Sequence, residues 1–139
     1  MTASVERGSF VVAVAVAVLR DGRVLAMRRA ADKDAGAGVW ETVSGRVRPD
    51  EQPLEAVTRE VAEECALEVR IDPRPVDAYT IHRADEPMVV IVYRADWSAG
   101  EVRRSAEHDA HAWWPLDELE RNGMPPRLAR AVERAAQSA

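Results

Sequence analysis

Hydrophobic residues of two sizes alternate near the start of the chain in the pattern of a β-strand. Between residues 10 and 19, valines at positions 12, 14, 16 and 18 alternate with alanines at positions 13, 15 and 17. A period of two residues is typical of a strand. The turn sequence Arg20-Asp21-Gly22-Arg23 separates this run from a second apolar run at residues 24–28. Because Asp-Gly at such a turn favours a hairpin, we expect a β-hairpin here.

A helical period replaces this alternation in the segment that begins at Pro53, a residue suited to the first turn of a helix. At 100° per residue its apolar side chains form one stripe, made of Leu54, Val57, Val61 and Cys65. Beside that stripe lie Glu60, Glu63 and Glu64, although Gln52 is a weak residue for the N-terminal cap. Three clustered carboxylates repel one another unless a cation lies among them. The helix is therefore the first indication of chemistry in the sequence.

The remaining pattern predicts a mixed sheet with helices on its faces. Further strands are predicted at residues 67–71, 78–82, 88–97 and 112–114. A short helix is predicted to begin at residues 115–119, and an amphipathic helix is predicted at residues 125–136. Residues 30–38 lack periodicity and contain two glycines, so we expect a mobile loop there. This loop is a candidate lid because it comes just before the acidic segment.

The composition fits a single domain over residues 1–139, with residues 1–9 as a flexible N-terminus. No linker, repeat or low-complexity run divides the chain, and 139 residues are enough for one core. The net charge of −5 gives no electrostatic basis for binding a nucleic-acid polymer. Residues 10–19 are too few to span a bilayer and follow Glu6-Arg7 rather than a basic leader. We therefore expect neither a nucleic-acid polymer nor a membrane as a partner.

The single cysteine, Cys65, cannot form an internal disulfide. Its position on the apolar stripe favours a buried thiol over a nucleophile. A chain without disulfides suits a reducing compartment, so we expect a cytoplasmic location. The histidines lack the spacing with cysteine that zinc sites show, so no histidine-based metal site is expected at His82, His108 or His111.

The spacing of Gly45, Glu51 and the segment from Arg59 to Glu64 resembles the signature of the Nudix hydrolases. In that family the signature has a glycine, five residues, a glutamate, seven residues and then REUxEExGU, where U is a bulky aliphatic residue. The matching positions are Gly45, Glu51, Arg59, Glu60, Val61, Glu63, Glu64 and Leu67. A Glu-rich helix face alone is usually a solvated surface, but a chance match at so many fixed positions is improbable. The chain therefore resembles a small MutT-type Nudix hydrolase.

The chain departs from the family pattern at positions that affect the backbone. Ala66 replaces the glycine that closes the signature helix, so a different or more strained helix end is expected. Residues 40–45 are similar to the family's W-E-x-P-G-G segment, with Val43 for proline and Ser44 for the first glycine. Asp50 replaces a common turn glycine. These changes leave every signature carboxylate in place, so they bear on loop geometry and substrate choice more than on the basic chemistry.

The resemblance implies an α/β fold, the α/β/α sandwich of the Nudix family with a central mixed β-sheet. It also implies Mg²⁺ as the cofactor, with Mn²⁺ as a substitute, because phosphoryl transfer needs charge neutralised on phosphate oxygens and a water held in line. By resemblance the metal ligands are Glu60, Glu63, Glu64 and the Ser44 carbonyl, and Glu60 is also a candidate base. In the family Glu51 and Arg59 pair to hold the loop against the helix, and the resemblance gives Gly45, Glu51 and Arg59 supporting roles.

Two further residues outside the signature are implied by the same resemblance. Glu107, in the segment before Trp113, is similar in position to a later-loop acid that serves as metal-site carboxylate or general base, although an exposed loop glutamate is an equal alternative. Arg29 follows the second predicted strand, where a basic residue can reach a substrate phosphate; ordinary solvation of Arg28 or Arg29 is the other outcome. Trp40 and Trp113 could stack on a base, but such residues more often fill the core.

The implied reaction is hydrolysis of a phosphoanhydride in a nucleoside diphosphate linked to another group. A nucleoside triphosphate, including a damaged one, is favoured slightly by the short chain, and would give a nucleoside monophosphate and pyrophosphate. Nucleotide sugars and dinucleoside polyphosphates remain alternative substrates, and the protein is expected as a monomer or homodimer. A second class of function is a Nudix-fold sensor that binds nucleotide without turnover. An isomerase of isoprenoid diphosphates would need a catalytic cysteine, for which Cys65 is poorly placed.

Overall fold

The computed structural model describes residues 8–32 and 36–138. In chain order the elements are β1 (Val11–Arg20), β2 (Arg23–Arg29), β3 (Trp40–Glu41), β4 (Val43–Arg46), α1 (Pro53–Glu64), β5 (Glu68–Ile71), β6 (Asp77–Arg83), β7 (Glu86–Ala99), β8 (His108–Pro115) and α2 (Pro126–Gln137). The expected flexible N-terminus falls outside the described residues at positions 1–7, and residues 8–10 have no regular secondary structure. Residues 33–35 of the candidate lid also fall outside, so the lid stays a prediction.

The sheet is mixed, as the sequence predicts. Its strands lie in the order β3-β2-β1-β7-β5, with β4 paired to β1, β6 to β7 and β8 to β2. β1 and β7 run parallel to each other, whereas every other described pairing is antiparallel. The predicted hairpin joins β1 to β2, with Leu19 opposite Val24. Asp21 and Gly22 at its turn have φ angles of 50° and 75°, the positive values that a tight two-residue hairpin turn requires.

Both faces of β1 are buried, because α1 covers one face of the sheet and α2 covers the other. The valine face of β1 packs with Val57 and Val61 of α1 and with Cys65, the residue that follows α1. The alanine face packs with Leu128 and Val132 of α2. The alternation of valine and alanine thus marks two faces of β1 that are both buried. It does not mark one buried face and one solvent-exposed face. This arrangement is the α/β/α sandwich that the resemblance implies, with Cys65 buried in its interior.

Helix α1 is closed differently at its two ends. At the start, the Gln52 N–H donates to Glu55 Oε1 at 2.9 Å, so the third helical residue compensates for a weak cap. At the end, the Ala66 N–H donates to Val61 O at 2.9 Å while Ala66 has φ of 57°. An alanine therefore adopts the left-handed conformation in which the family has glycine. The expected strain is present, at a cost of about 1 kcal/mol.

Of two predictions for the C-terminal part, one is confirmed and one is wrong. The last strand, predicted at residues 112–114, is present but longer: β8 is His108–Pro115, because it pairs with β2 from Arg23 opposite Pro115 to Arg29 opposite His108. No helix begins at residues 115–119, because β8 continues to Pro115 and turns follow it. The Glu118 N–H donates to Pro115 O at 3.1 Å, which closes a single turn. Among the described helices, none is long and apolar enough to cross a bilayer.

Candidate active site

A cavity of about 580 Å³ opens between α1 and β4 on one side and β6, β7 and the start of α2 on the other. One side, here called the acidic wall, is formed by Glu41, Ser44, Gly45, Glu60, Glu64 and Glu107. The opposite side, here called the apolar wall, is formed by Tyr79, Ile81, Met88, Val90 and Leu128. Arginine side chains also line the cavity, at positions 29, 46, 48, 83 and 127. Charged and apolar groups therefore face each other across one space.

Close packing of α1 against β4 brings two carboxylates into the acidic wall. The Ser44 N–H donates to Glu64 Oε1 at 2.8 Å. Glu60 lies so close to the β4 backbone that a Cβ added at Gly45 would overlap its carboxyl group. Gly45 is therefore required by close approach and not by an unusual backbone angle. The Ser44 carbonyl stays a predicted metal ligand. The group of Ser44 that contacts Glu64 is the backbone N–H.

The acidic wall is unfavourable for bare negative charge. The pKa of Glu64 is raised to about 10, mainly by burial and further by a hydrogen bond with Glu107 and the charges of Glu60 and Glu41, whereas the hydrogen bond from the Ser44 N–H lowers it. Burial also raises the pKa of Glu60, although its hydrogen bond from Arg59 acts in the opposite direction. A bound cation would favour the ionised form of these carboxylates. The site therefore has the electrostatics of a cation site.

The donor atoms of this wall suit a hard divalent cation in chemical type. Carboxylate oxygens are the ligands that Mg²⁺ and Mn²⁺ prefer, and Mg²⁺ keeps several waters and substrate oxygens besides its protein ligands. Within residues 8–32 and 36–138, no group of three or more His, Cys, Asp or Glu side chains is arranged to hold a metal ion by itself. The residues fit a cation that is shared with substrate and water.

The supporting pair that the resemblance implies is present in the structure. Arg59 Nε and Nη2 donate to the two Glu51 oxygens at 2.7 and 2.8 Å. This bidentate contact is the main reason why the pKa of Glu51 is lowered to about 2 and the pKa of Arg59 is raised. Arg59 also donates to Arg46 O at 2.9 Å and to Glu60 Oε1 at 2.5 Å. It therefore ties the loop after β4 to α1 and orients Glu60.

The structure does not bring all three signature glutamates into the cavity. Glu60 and Glu64 line it, but Glu63 does not. The Glu63 side chain is 51% exposed and lies 3.4 Å from Arg59 Nη1 and 4.0 Å from Arg48 Nη2. Its assignment as a metal ligand remains a prediction from the resemblance. Glu107, by contrast, joins the acidic wall from the loop before β8 through its hydrogen bond with Glu64.

Sequence reasoning missed two buried polar residues next to this wall, Glu41 and His108. Glu41 is 4% exposed and accepts a hydrogen bond from His108 Nε2 at 2.9 Å. Arg29 and Arg83 lie 3.4 and 3.7 Å from the Glu41 carboxylate. The signal available was a glutamate inside an otherwise apolar strand segment, which usually needs a buried partner. The partners themselves come from β2, β6 and β8, which no local pattern connects to Glu41.

The basic and aromatic groups divide between the cavity and the rest of the molecule. Arg29 lines the cavity, whereas its neighbour Arg28 pairs with Asp109 at the surface, at 2.7 Å. Trp40 packs on Trp114, with ring centroids 4.7 Å apart. Neither Trp40 nor Trp113 belongs to the described lining of the cavity, so packing is the role that the structure supports for both.

The aromatic ring that does face the cavity is Tyr79. Arg127 lies over this ring at 4.4 Å and is held by Asp77 through contacts of 2.7 and 3.1 Å. Burial raises the pKa of Tyr79 to about 12, so its hydroxyl keeps its proton at neutral pH. The apolar wall therefore contains one aromatic side chain with a protonated hydroxyl.

Comparison with known proteins gives consistent matches. The profile of the NUDIX domain matches residues 9–135. The chain is 37% identical over 104 residues to a MutT-like protein of Streptomyces ambofaciens, a match that covers 75% of this chain and 62% of that protein. It is 30% identical over 116 residues to the CTP pyrophosphohydrolase of Escherichia coli K12, covering 81% of this chain and 82% of that protein.

Solved structures of similar fold agree. The MutT protein of Methanosarcina mazei Go1 has a TM-score of 0.84 at 24% identity, over 96% of this chain and 97% of that one, which shows the fold alone. The E. coli ORF135 protein has a TM-score of 0.75 at 28% identity, over 94% of both chains.

Proposed function

The chain belongs to the Nudix family, and from this premise we propose that it is a metal-dependent pyrophosphohydrolase of nucleoside triphosphates. The products would be a nucleoside monophosphate and pyrophosphate. The observation that carries this proposal is the cavity itself, in which buried carboxylates face an apolar wall. Carboxylates at one side suit a metal-bound polyphosphate, and a tyrosine ring among aliphatic side chains suits a nucleoside.

Several residues in and beside the acidic wall have a role in this proposal. Glu60 and Glu64 would hold Mg²⁺ or Mn²⁺, with Glu63 and the Ser44 carbonyl as further ligands from the family resemblance. The cation supplies neutralisation of phosphate charge and activation of water. Arg59 orients Glu60 while its other nitrogens stay bound to Glu51. Arg29, which lines the cavity 3.4 Å from Glu41, can contact a substrate phosphate.

The attacking water needs a proton acceptor, and Glu107 is the residue we favour. It lines the cavity and shares a hydrogen bond with Glu64. Two carboxyl groups in contact do not both ionise easily, so such a pair readily exchanges one proton. Glu60 is the alternative base, but its Oε1 is held by Arg59 at 2.5 Å, which disfavours protonation there.

The dimensions and lining favour a single nucleotide over a larger substrate. A cavity of about 580 Å³ falls within the range of roughly 300–1,000 Å³ typical of small-ligand sites. Tyr79 and Met88 give the nucleoside a flat, polarizable surface. The E. coli relative carries the name CTP pyrophosphohydrolase, so CTP is the first triphosphate to test.

The test is release of product from a panel of nucleoside triphosphates, nucleotide sugars and dinucleoside polyphosphates, with Mg²⁺, with Mn²⁺ and with chelator. We expect metal-dependent formation of nucleoside monophosphate and pyrophosphate from a triphosphate, and a much slower release by Glu64→Gln. The matched control is Glu68→Gln, at an exposed position of β5. Equal turnover with chelator, or by Glu64→Gln, would contradict the proposal. Nucleotide binding without product from any substrate would identify the sensor instead.

A further inference from the structure

One cavity arginine, Arg127, contacts the apolar wall. It is the second residue of α2, and Pro125 and Pro126 before it restrict the backbone at the start of this helix. Its guanidinium group lies over the Tyr79 ring, 4.4 Å from the ring centroid. The other four cavity arginines lie within 4.0 Å of glutamate oxygens. Arg127 therefore lies beside the wall to which the proposed function assigns the nucleoside.

Asp77 and Tyr79 together fix the plane of the Arg127 guanidinium group. The Asp77 side chain is 5% exposed and accepts hydrogen bonds from Arg127 Nη1 at 2.7 Å and from Nη2 at 3.1 Å. It also accepts one from the Ala78 N–H at 2.8 Å, which holds the carboxylate in place. This bidentate contact neutralises the charge of the guanidinium group. Arg127 can therefore act on a ligand through the direction of its N–H groups more than through net charge.

The contact with Asp77 uses only one edge of the guanidinium group. Both hydrogen bonds to Asp77 come from the terminal nitrogens. The Nε–H and the second N–H of Nη2 lie parallel on the next edge of the same plane. Within residues 8–32 and 36–138, neither of these two N–H groups donates a further hydrogen bond. Because Arg127 lines the cavity and its side chain is 33% exposed, this pair of donors is available to a ligand.

Stability gives little reason for an arginine at this position. The N-terminus of a helix carries partial positive charge, so a cation in the first turn is unfavourable. Ion pairs that are partly exposed contribute little to stability. Asp77 also has a second basic partner, because Arg134 Nη1 lies 3.2 Å from Asp77 Oδ1. The position of Arg127 is better explained by a ligand in the cavity.

We propose that Arg127 determines the base preference of the site by donating two parallel hydrogen bonds to a nucleobase with two adjacent acceptors. Guanine meets this requirement with O6 and N7, and cytosine meets it with O2 and N3. Adenine has its amino group, a donor, beside both N1 and N7, and uracil has N3–H between its two carbonyl groups. The inference rests on the proposed function, in which the acidic wall takes the phosphates.

Two variants of Arg127 test this inference, with Arg130→Met as the matched control at an exposed position of α2. Arg127→Met removes every side-chain donor and keeps a long, unbranched side chain. Arg127→Lys keeps the positive charge beside Asp77 but lacks the pair of parallel donors, and it decides the question if Arg127→Met does not fold. The measurements are kcat and KM for GTP, CTP, ATP and UTP with Mg²⁺, together with urea unfolding of each variant.

For the wild type and Arg130→Met we expect kcat/KM for GTP or CTP to exceed that for ATP and UTP by about 10- to 100-fold, the discrimination that a bidentate contact to a base provides. The favoured triphosphate distinguishes guanine from cytosine. In both Arg127 variants this ratio should fall below about threefold, mainly through a raised KM for the favoured triphosphate.

A wild type without base preference, or with a preference for ATP or UTP, would overturn the inference. So would an unchanged ratio in the Arg127 variants, because a phosphate contact or a packing role predicts the same loss for all four triphosphates. No pyrophosphate from any triphosphate would contradict the proposed function. Calorimetric binding of the same four nucleotides would then decide the role of Arg127: a preference that depends on Arg127 would support the inference, and equal affinities would overturn it. No binding of any nucleotide would overturn both.

Discussion

The two walls of the cavity are built in different ways. The acidic wall is held by short polar contacts, such as Ser44 N–H to Glu64 at 2.8 Å and Arg59 to Glu51 at 2.7 Å, and several of its residues lie within one signature. The apolar wall comes from β6, β7 and α2, and its fixed polar contacts are those of Arg127 with Asp77. The first wall needs exact placement of charge, whereas the second needs only shape and apolar surface. Several residues of the acidic wall are therefore close together along the chain, whereas the residues of the apolar wall come from separate elements.

The largest effect is expected from charge removal in the acidic wall. Glu64→Gln should lower kcat by on the order of 10²–10³-fold, because a buried ligand charge is lost with little change in volume. Glu63→Gln should lower it less, since the Glu63 side chain is 51% exposed and does not line the cavity. Turnover numbers for both variants at saturating Mg²⁺ make the comparison. A larger loss in Glu63→Gln would reverse the ranking that the structure indicates.

Substitution in the apolar wall should change binding and not chemistry. Tyr79→Ala should raise KM about tenfold or more at nearly constant kcat, because base stacking on an aromatic side chain contributes about 1–3 kcal/mol. Tyr79→Phe keeps the ring and is the matched control, with a KM close to wild type if stacking dominates. A loss of kcat at unchanged KM would show that this wall takes part in the chemical step.

The supporting pair behind the acidic wall should give a pH-dependent effect on stability. The pKa of Glu51 is lowered to about 2, mainly by Arg59, so its contribution is fully present above the unfolded value near pH 4.5 and is lost as pH falls towards 2. The stability difference between wild type and Glu51→Gln should therefore shrink across this window in urea unfolding. A difference that stays constant from pH 6 to pH 2.5 would contradict the assignment.

The smallest effect is expected at the end of α1, outside both walls. Ala66→Gly should stabilise the protein by about 1 kcal/mol, because Ala66 has φ of 57° and glycine adopts that conformation without strain. Ala62→Gly, at an exposed helical position, should destabilise by about the same amount. Urea unfolding measures both. Stabilisation should leave kcat unchanged, and a change in kcat would link the helix end to the acidic wall.

Individual elements of the fold were predictable from the sequence. The points at which strands begin and end through pairing with distant strands were not. The hairpin turn and α1 follow from Asp-Gly chemistry and from a clear helical period. The length of β8 was underestimated because its first half, from His108 to His111, has no apolar alternation and is stabilised by pairing with β2. The segment after Pro115 resembles a helix start, but it forms turns in the structure.

The sequence by itself determined the hairpin, the acidic helix, the Glu51–Arg59 spacing and the family, because each depends on residues that are close along the chain. Only the tertiary structure decided which groups meet across the cavity. Glu41 and His108 are 67 positions apart, and Tyr79 and Arg127 come from different elements. The physical reason is that periodicity specifies which side chains share a face of one element. The contact between two elements depends on strand register and on the packing of helices over the sheet.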